Sequence, residues 1–283
     1  MKIARQLFVH NIRVNGLDAI LYCHGLSASR YVEYAGAMAF LLKKARLGTT
    51  VLELGSGHSI LPTIWQQLQM EVTVVDMNRG ALLWQIRKSK KIAGAIIGAI
   101  LADMQYLPFK DECIDSVSCI SAIEHIPDDG DIETAAEIGR ILKDNGLCVI
   151  SMPLSTHGKT YFKQHWATGI PPLLQDLLGT SLHAILNKFK VDRTSSYFER
   201  FSSLEDVDKR VIASSKCVRQ DYFVLGSGRL TKFVHQKVVP TGFLTLLEYL
   251  IAKFLATGSR VRNADAIILE LRKTCFWNRK VTS

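Results

Sequence analysis

Two glycines, Gly55 and Gly57, lie in the string VLELGSGHS, between a run of aliphatic and β-branched residues and a run with helical spacing. A turn without side chains lets a ligand approach the backbone, and the start of the next helix offers free N–H groups. A G-x-G turn can also serve only to reverse the chain. Asp76 closes the following strand run, EVTVVD, 21 residues after Gly55, where a carboxylate can accept both hydroxyls of a ribose. Its alternative role is that of a helix-capping or loop acid. Further on, ADMQYLPFKDECIDSVSCISAIEHI contains Asp103, Met104, Ser121 and His125. An imidazole changes charge near neutrality, so His125 is a candidate base, the competing reading being a structural histidine that orders the Glu124 turn.

The elements that must position these residues alternate. Strand runs fall at VLEL, EVTVVD, Ala95–Ala102, IDSVSCISAI and LCVISMPL. Between them lie helical runs at Ile60–Gln69, with Pro62 tolerable in its first turn, at Ala81–Ala93 with a basic outer face, and at Asp131–Lys143, stopped by Asn145-Gly146. Two helices are expected between Asn15 and Arg46, the second carrying Lys43, Lys44 and Arg46 in its last turn. Buried, non-alternating strands separated by helices specify an α/β fold with a doubly wound, mainly parallel sheet. After Pro153 the rhythm breaks. Residues 155–196 read as a polar loop and then an apolar helix, Pro172–Lys190, interrupted by Gly179. Leu204–Ser215 reads as a helix, VRQDYFVLG as a strand, Phe243–Ala256 as an apolar helix and ADAIILELRKT as a last strand. The segments are therefore 1–46, helical; 47–154, a ligand-binding core; and 155–283, a cover with the remaining strands.

VLELGSGHS, VVDMN, ADMQYLPFKDECIDSVSC and EHIPDD followed by ETAAEIGRILKDNGLCVISMP resemble, in order, the motifs of class I S-adenosylmethionine-dependent methyltransferases. The type is the small-molecule, methyltransferase type 11-like one. VLELGSGHSILP and EVTVVDMN look closest to bacterial and archaeal enzymes of polysaccharide or lipid biosynthesis. The resemblance covers residues 29–154, and more faintly 197–225 and 264–273. It implies a Rossmann-like seven-stranded sheet, N-terminal helices, a helical cover inserted after strands five and six, and S-adenosyl-L-methionine as cofactor. By the same resemblance, Gly55 and Gly57 run beside the cofactor's amino-acid end and Glu53 supports the loop or the methionine amine. Asp76, with Met77 next to it, holds the ribose; Asp103 and the Met104 amide read the adenine; Ser121 lines the methionine portion. Arg30 or Tyr34 closes over the cofactor. Ser59 stands where many members have a third glycine, a departure that bears on how the helix approaches.

Charge sorts the functions these motifs could serve. The chain carries +9, divided as +5 over residues 1–50, −6 over 51–150 and +10 over 151–283. An acidic middle suits a cationic sulfonium, and the basic remainder suits an anionic or membrane-proximal acceptor. The expected acceptor is a small molecule, glycan or lipid-linked precursor, methylated on oxygen ahead of nitrogen. RNA is the second reading, without a recognisable RNA-binding module or D/N-P-P-Y/F signature behind it. A non-catalytic cofactor-binding scaffold is the third. The Asp128–Asp131 acids sit where a helix begins, and no metal site is expected there. His157 and His165 read as loop histidines. Phe243, Leu246, Leu247, Leu250, Ile251 and Phe254 make a core stripe or, with Lys253, Arg260 and Arg262, a lid or a face for anionic membrane. Scattered cysteines and the lack of a signal-like N-terminus or a 20-residue apolar span point to a cytoplasmic protein.

Overall fold

The computed structural model describes residues 2–15, 28–43, 47–166, 193–226, 256–258 and 266–274. Strands β1 (Thr50–Leu54), β2 (Glu71–Asp76), β3 (Gly98–Leu101), β4 (Ile114–Ile120) and β5 (Leu142–Pro153) form the first part of the sheet. β2 pairs with β1 and β3, and β4 with β1 and β5, all in parallel. β10 (Ala266–Lys273) inserts antiparallel between β5 and β8 (Cys217–Gly226), giving the order β3-β2-β1-β4-β5-β10-β8. This is the expected seven-stranded, mainly parallel sheet, extended at its edge by the three residues of β9, Ala256–Gly258.

Both faces of the sheet are buried, which is why its strands read as continuous apolar runs. On β10, Ile268 joins one core cluster, with Val51, Val74 and Val149. Its neighbours Ile267 and Leu269 join the other, with Leu52, Val117 and Ile150, as the two-residue strand period requires. Helices α2 (Ala28–Leu42), α3 (Leu61–Gln67) and α4 (Arg79–Ala93) serve the first cluster through Phe40, Trp65 and Leu82. α5 (Gly130–Ile141) serves the second through Ala135, Ile138 and Ile141. Asn78 caps α4 by accepting from the Gly80 and Ala81 amides at 2.8 and 3.3 Å.

Three features depart from the sequence reading. Residues Lys2–Asn15 form α1, inside the segment expected to be helical but ahead of the two helices read between Asn15 and Arg46, burying Leu7 and Val14 in the first cluster. Its His10 pairs through Nε2 with Thr63 Oγ1 at 2.7 Å; burial first, then Arg13, pulls its pKa down to about 4. Part of the expected polar loop is β6 (Lys159–Trp166), paired antiparallel with β7 (Arg193–Phe201). KTYFKQHW mixes charges with strand-favouring aromatics, and its partner is remote in sequence, so no local hairpin signal marks it. Residues 204–215 form the expected helix, α6, but with a π-helical middle, Val207–Ile212. The expected first helix of the 15–46 segment, the Pro172–Lys190 helix and the Phe243–Ala256 helix lie outside the described residues, apart from residue 15 and Ala256. Among the described residues no helix is long and apolar enough to cross a membrane.

Candidate active site

The carboxyl ends of β1 to β5 lie side by side, and the residues expected to hold the cofactor, with His125, sit at or beside that edge. Glu53 is the penultimate residue of β1 and is 2% exposed. Burial pushes its pKa up to about 7, against the partial compensation of Ser118, Trp65, Ser59 and Arg30. Ser59 Oγ donates to Glu53 Oε1 at 3.4 Å, so the serine in place of a third glycine ties the loop to the strand. Glu53 Oε2, Trp65 Nε1 and Ser118 Oγ are buried without a hydrogen-bond partner among the described residues. Such orphans are costly unless a ligand or solvent completes them.

The loop after β1 is built for close approach. Gly55 has φ +62°, and a Cβ there would stand 2.4 Å from the Ala122 Cβ. Gly57 has φ +45°, with open space where a side chain would project. Gln85 of α4 reaches back and donates to the carbonyls of Ser56, Gly57 and Ser59 at 3.4, 3.2 and 2.9 Å. Asp76 Oδ2 accepts from the Gly57 amide at 2.7 Å and Oδ1 from the Asn78 amide at 2.7 Å. The loop and the acid at the end of β2 are thus one unit, with lone pairs left for further donors. Met77 follows, 71% exposed. After β3, Asp103 is held by the Gln105 backbone and side-chain amides at 2.9 to 3.1 Å. Met104 packs beside Gly55.

At the end of β4, Ser121 has φ +45°, its amide donating to the Ser151 carbonyl and Oγ. Its hydroxyl donates to Glu33 Oε1 at 3.0 Å. Arg30, one turn earlier on α2, donates to the Ile120 carbonyl at 3.1 Å and to Glu33 Oε2 at 3.3 Å. Tyr34 is buried on the same helix, with Ser59 and Glu53 as neighbours, and burial raises its pKa. α2 therefore closes over both the glycine loop and the end of β4. His125 ends the turn Ile123–His125; its side chain is 41% exposed and lies 3.9 Å from Glu124 Oε1. Burial pushes the Glu124 pKa up to about 8. β7 packs on this turn, and burial raises the Glu199 pKa against the pull of the charges on His125 and Arg30.

The structure brings together Arg30, Tyr34, Glu53, Gly55, Gly57, Asp76, Asp103, Met104, Ser121 and His125, with Met77 at the rim. It adds Glu33, Gln85, Ser151 and Glu199, which sequence reasoning passes over. Glu33 lies three residues after Arg30, a spacing that could have marked an ion pair. Nothing local marks Glu199. His157 is exposed in the turn before β6, and His165 lies in β6 itself. Asp131 is taken up by arginines, in accord with its reading as a helix-start acid.

Strand order, the antiparallel β10 and a glycine loop joined to a strand-end acid define a Rossmann-like ligand-binding fold of the methyltransferase kind. Residues 52–150 match the family model described as a methyltransferase domain. Among curated proteins none matches the chain. Among solved structures, a putative sarcosine dimethylglycine methyltransferase from Galdieria sulphuraria is similar, at TM-score 0.53 and 13% identity over 97% of this chain and 99% of that one. The geranyl diphosphate C-methyltransferase from Streptomyces coelicolor A3(2), solved with magnesium, geranyl diphosphate and S-adenosyl-L-homocysteine, gives 0.51 and 13% over 87% and 82%. Haemonchus contortus phosphoethanolamine N-methyltransferase 2 gives 0.53 and 14% over 94% and 57%. At these identities the likeness is one of fold.

Proposed function

We propose that the protein methylates an oxygen, ahead of a nitrogen, of a small molecule, glycan or lipid-linked precursor, with His125 as the base. Residues 47–154 are the cofactor half, 1–46 the segment that closes over it, and 155–283 the acceptor side with the last strands. The open space at Gly57 and the spare lone pairs of Asp76 fit S-adenosyl-L-methionine. Asp76 holds the ribose beside Met77, Asp103 and the Met104 amide hold the adenine, Gly55, Gly57, Ser121, Arg30 and Tyr34 surround the amino-acid end, and Glu53 supports the loop. Bound there, the cofactor supplies a methyl carbon activated by its positive sulfur.

The observation that carries the oxygen reading is the surroundings of His125. A hydroxyl acceptor needs a base, and this imidazole is 41% exposed, with Glu124 3.9 Å away and Glu199 near it on β7. As it takes the hydroxyl proton, the carboxylate of Glu199 stabilises the imidazolium that forms. The +10 charge of residues 151–283 supports an anionic or membrane-proximal acceptor.

His125→Ala tests the assignment. Turnover should fall by about 100-fold or more, while the affinity for S-adenosyl-L-methionine stays unchanged. Undiminished turnover sinks the base. Mass spectrometry of metabolites from cells with and without the protein should show an acceptor gaining one CH₂.

A further inference from the structure

Arg30 and Glu33 form an ion pair at 3.3 Å with Glu33 only 4% exposed, at the end of β4 and beside the glycine loop. Burying the Glu33 carboxylate costs free energy that its attraction to one partly exposed arginine seldom fully recovers. Apart from the pair, α2 is held by Tyr31, Ala37, Phe40 and Leu41, which sit in the core. What the pair does achieve is to fix a cation and an anion one helical turn apart, facing the same strand end. Arg30 is anchored by the Ile120 carbonyl at 3.1 Å, and Glu33 by the Ser121 hydroxyl at 3.0 Å. An α-amino acid is a zwitterion with the matching pair of charges.

We propose that Arg30 and Glu33 together clamp the amino-acid end of the cofactor, Arg30 taking its carboxylate and Glu33 its ammonium. The inference rests on the cofactor reading above and adds Glu33, with a division of labour between the two charges. Glu53 then has a different task. Its Oε1 accepts from Ser59, and its Oε2 is buried beneath the loop with Trp65 and Ser118, so it supports the loop from below. A charge-assisted contact of each kind discriminates strongly between ligands that carry the charge and ligands that lack it.

Calorimetry on the full chain separates the parts, using three neutral-sulfur probes. S-adenosylhomocysteine has both charges, the decarboxylated thiopropylamine analogue only the ammonium, and methylthioadenosine neither. Wild type should prefer S-adenosylhomocysteine over methylthioadenosine by about 100-fold. Glu33→Gln should weaken S-adenosylhomocysteine and the amine analogue about tenfold each and leave methylthioadenosine within about twofold. Glu33→Asp, which keeps the charge, should recover part of the loss. Arg30→Gln should weaken S-adenosylhomocysteine alone. Equal weakening of all three probes by either variant, or selective loss from Glu53→Gln instead of Glu33→Gln, overturns the clamp. So does a wild type that binds S-adenosylhomocysteine and methylthioadenosine alike, a result that requires no variant to fold. A wild type that binds none of the three overturns the cofactor reading itself, and the clamp with it.

Discussion

Arg200 Nη1 lies 3.0 Å from Asp131 Oδ1, fastening the second strand of the β6–β7 pair to the first turn of α5. Arg210 of α6 joins them, donating to Asp131 Oδ2 at 2.8 Å and Oδ1 at 2.7 Å. The Asp128 carbonyl accepts from both guanidiniums, at 2.7 and 3.0 Å. Neighbouring side chains on a strand point to opposite faces, so the fastening of Arg200 delivers Glu199 to the other side, toward His125 and Arg30. An acid at a helix start thereby fixes where β7 packs against the Ile123–His125 turn.

Replacing Asp131 tests that linkage. Burial alone would raise its pKa, but Arg210 and Arg200 more than offset this and hold it below the usual carboxylate range. A depressed acid contributes stability above its unfolded pKa and loses it as pH falls through the folded value. Asp131→Asn should therefore cost about 2 kcal/mol at pH 7 by denaturant titration, and the gap to wild type should close in acid, below about pH 4. An unchanged midpoint at pH 7 would falsify the fastening.

Glu199→Gln removes the charge facing His125 while keeping the shape of the side chain. Turnover should fall about tenfold with the affinity for S-adenosyl-L-methionine intact. Loss of cofactor affinity with unchanged turnover contradicts the acceptor-side placement.

The two loop glycines should fail differently. Gly55→Ala drives a Cβ to 2.4 Å from Ala122 Cβ at φ +62°, so unfolding free energy should drop by about 2–3 kcal/mol. Gly57→Ala meets open space and bears only the strain of its φ of +45°, about 1 kcal/mol. Its methyl group projects where a ligand would approach, so cofactor affinity should suffer more than stability. Denaturation and calorimetry on both variants check the contrast.

Glu53 carries a pH signature of opposite sign to Asp131. Its pKa of about 7 in the fold lies above the unfolded value of 4.5, so the native state holds a proton that the unfolded state has released. Stability should fall as pH rises between those values, by about 3 kcal/mol at most. Glu53→Gln should melt close to wild type near pH 4.5 and higher than wild type at pH 8. Parallel melting curves at both pH values would show that the carboxyl is not so perturbed.

The amino-acid sequence by itself determined the core of this protein. The order of β1 to β5 is readable because each strand is a short aliphatic run between helical ones, and Gly55, Gly57 and Asp76 are readable because a turn and a strand end constrain residue type locally. Tertiary structure decided what depends on contacts between distant segments. β6 pairs with a strand that begins 27 residues beyond its end, and α1 gains its burial against α2 and α4. Glu33, Gln85 and Glu199 become site residues only because Ser121, the glycine loop and His125 arrive beside them. Local patterns encode dihedral and burial preferences, whereas the partner of a charge is fixed only when the chain closes on itself.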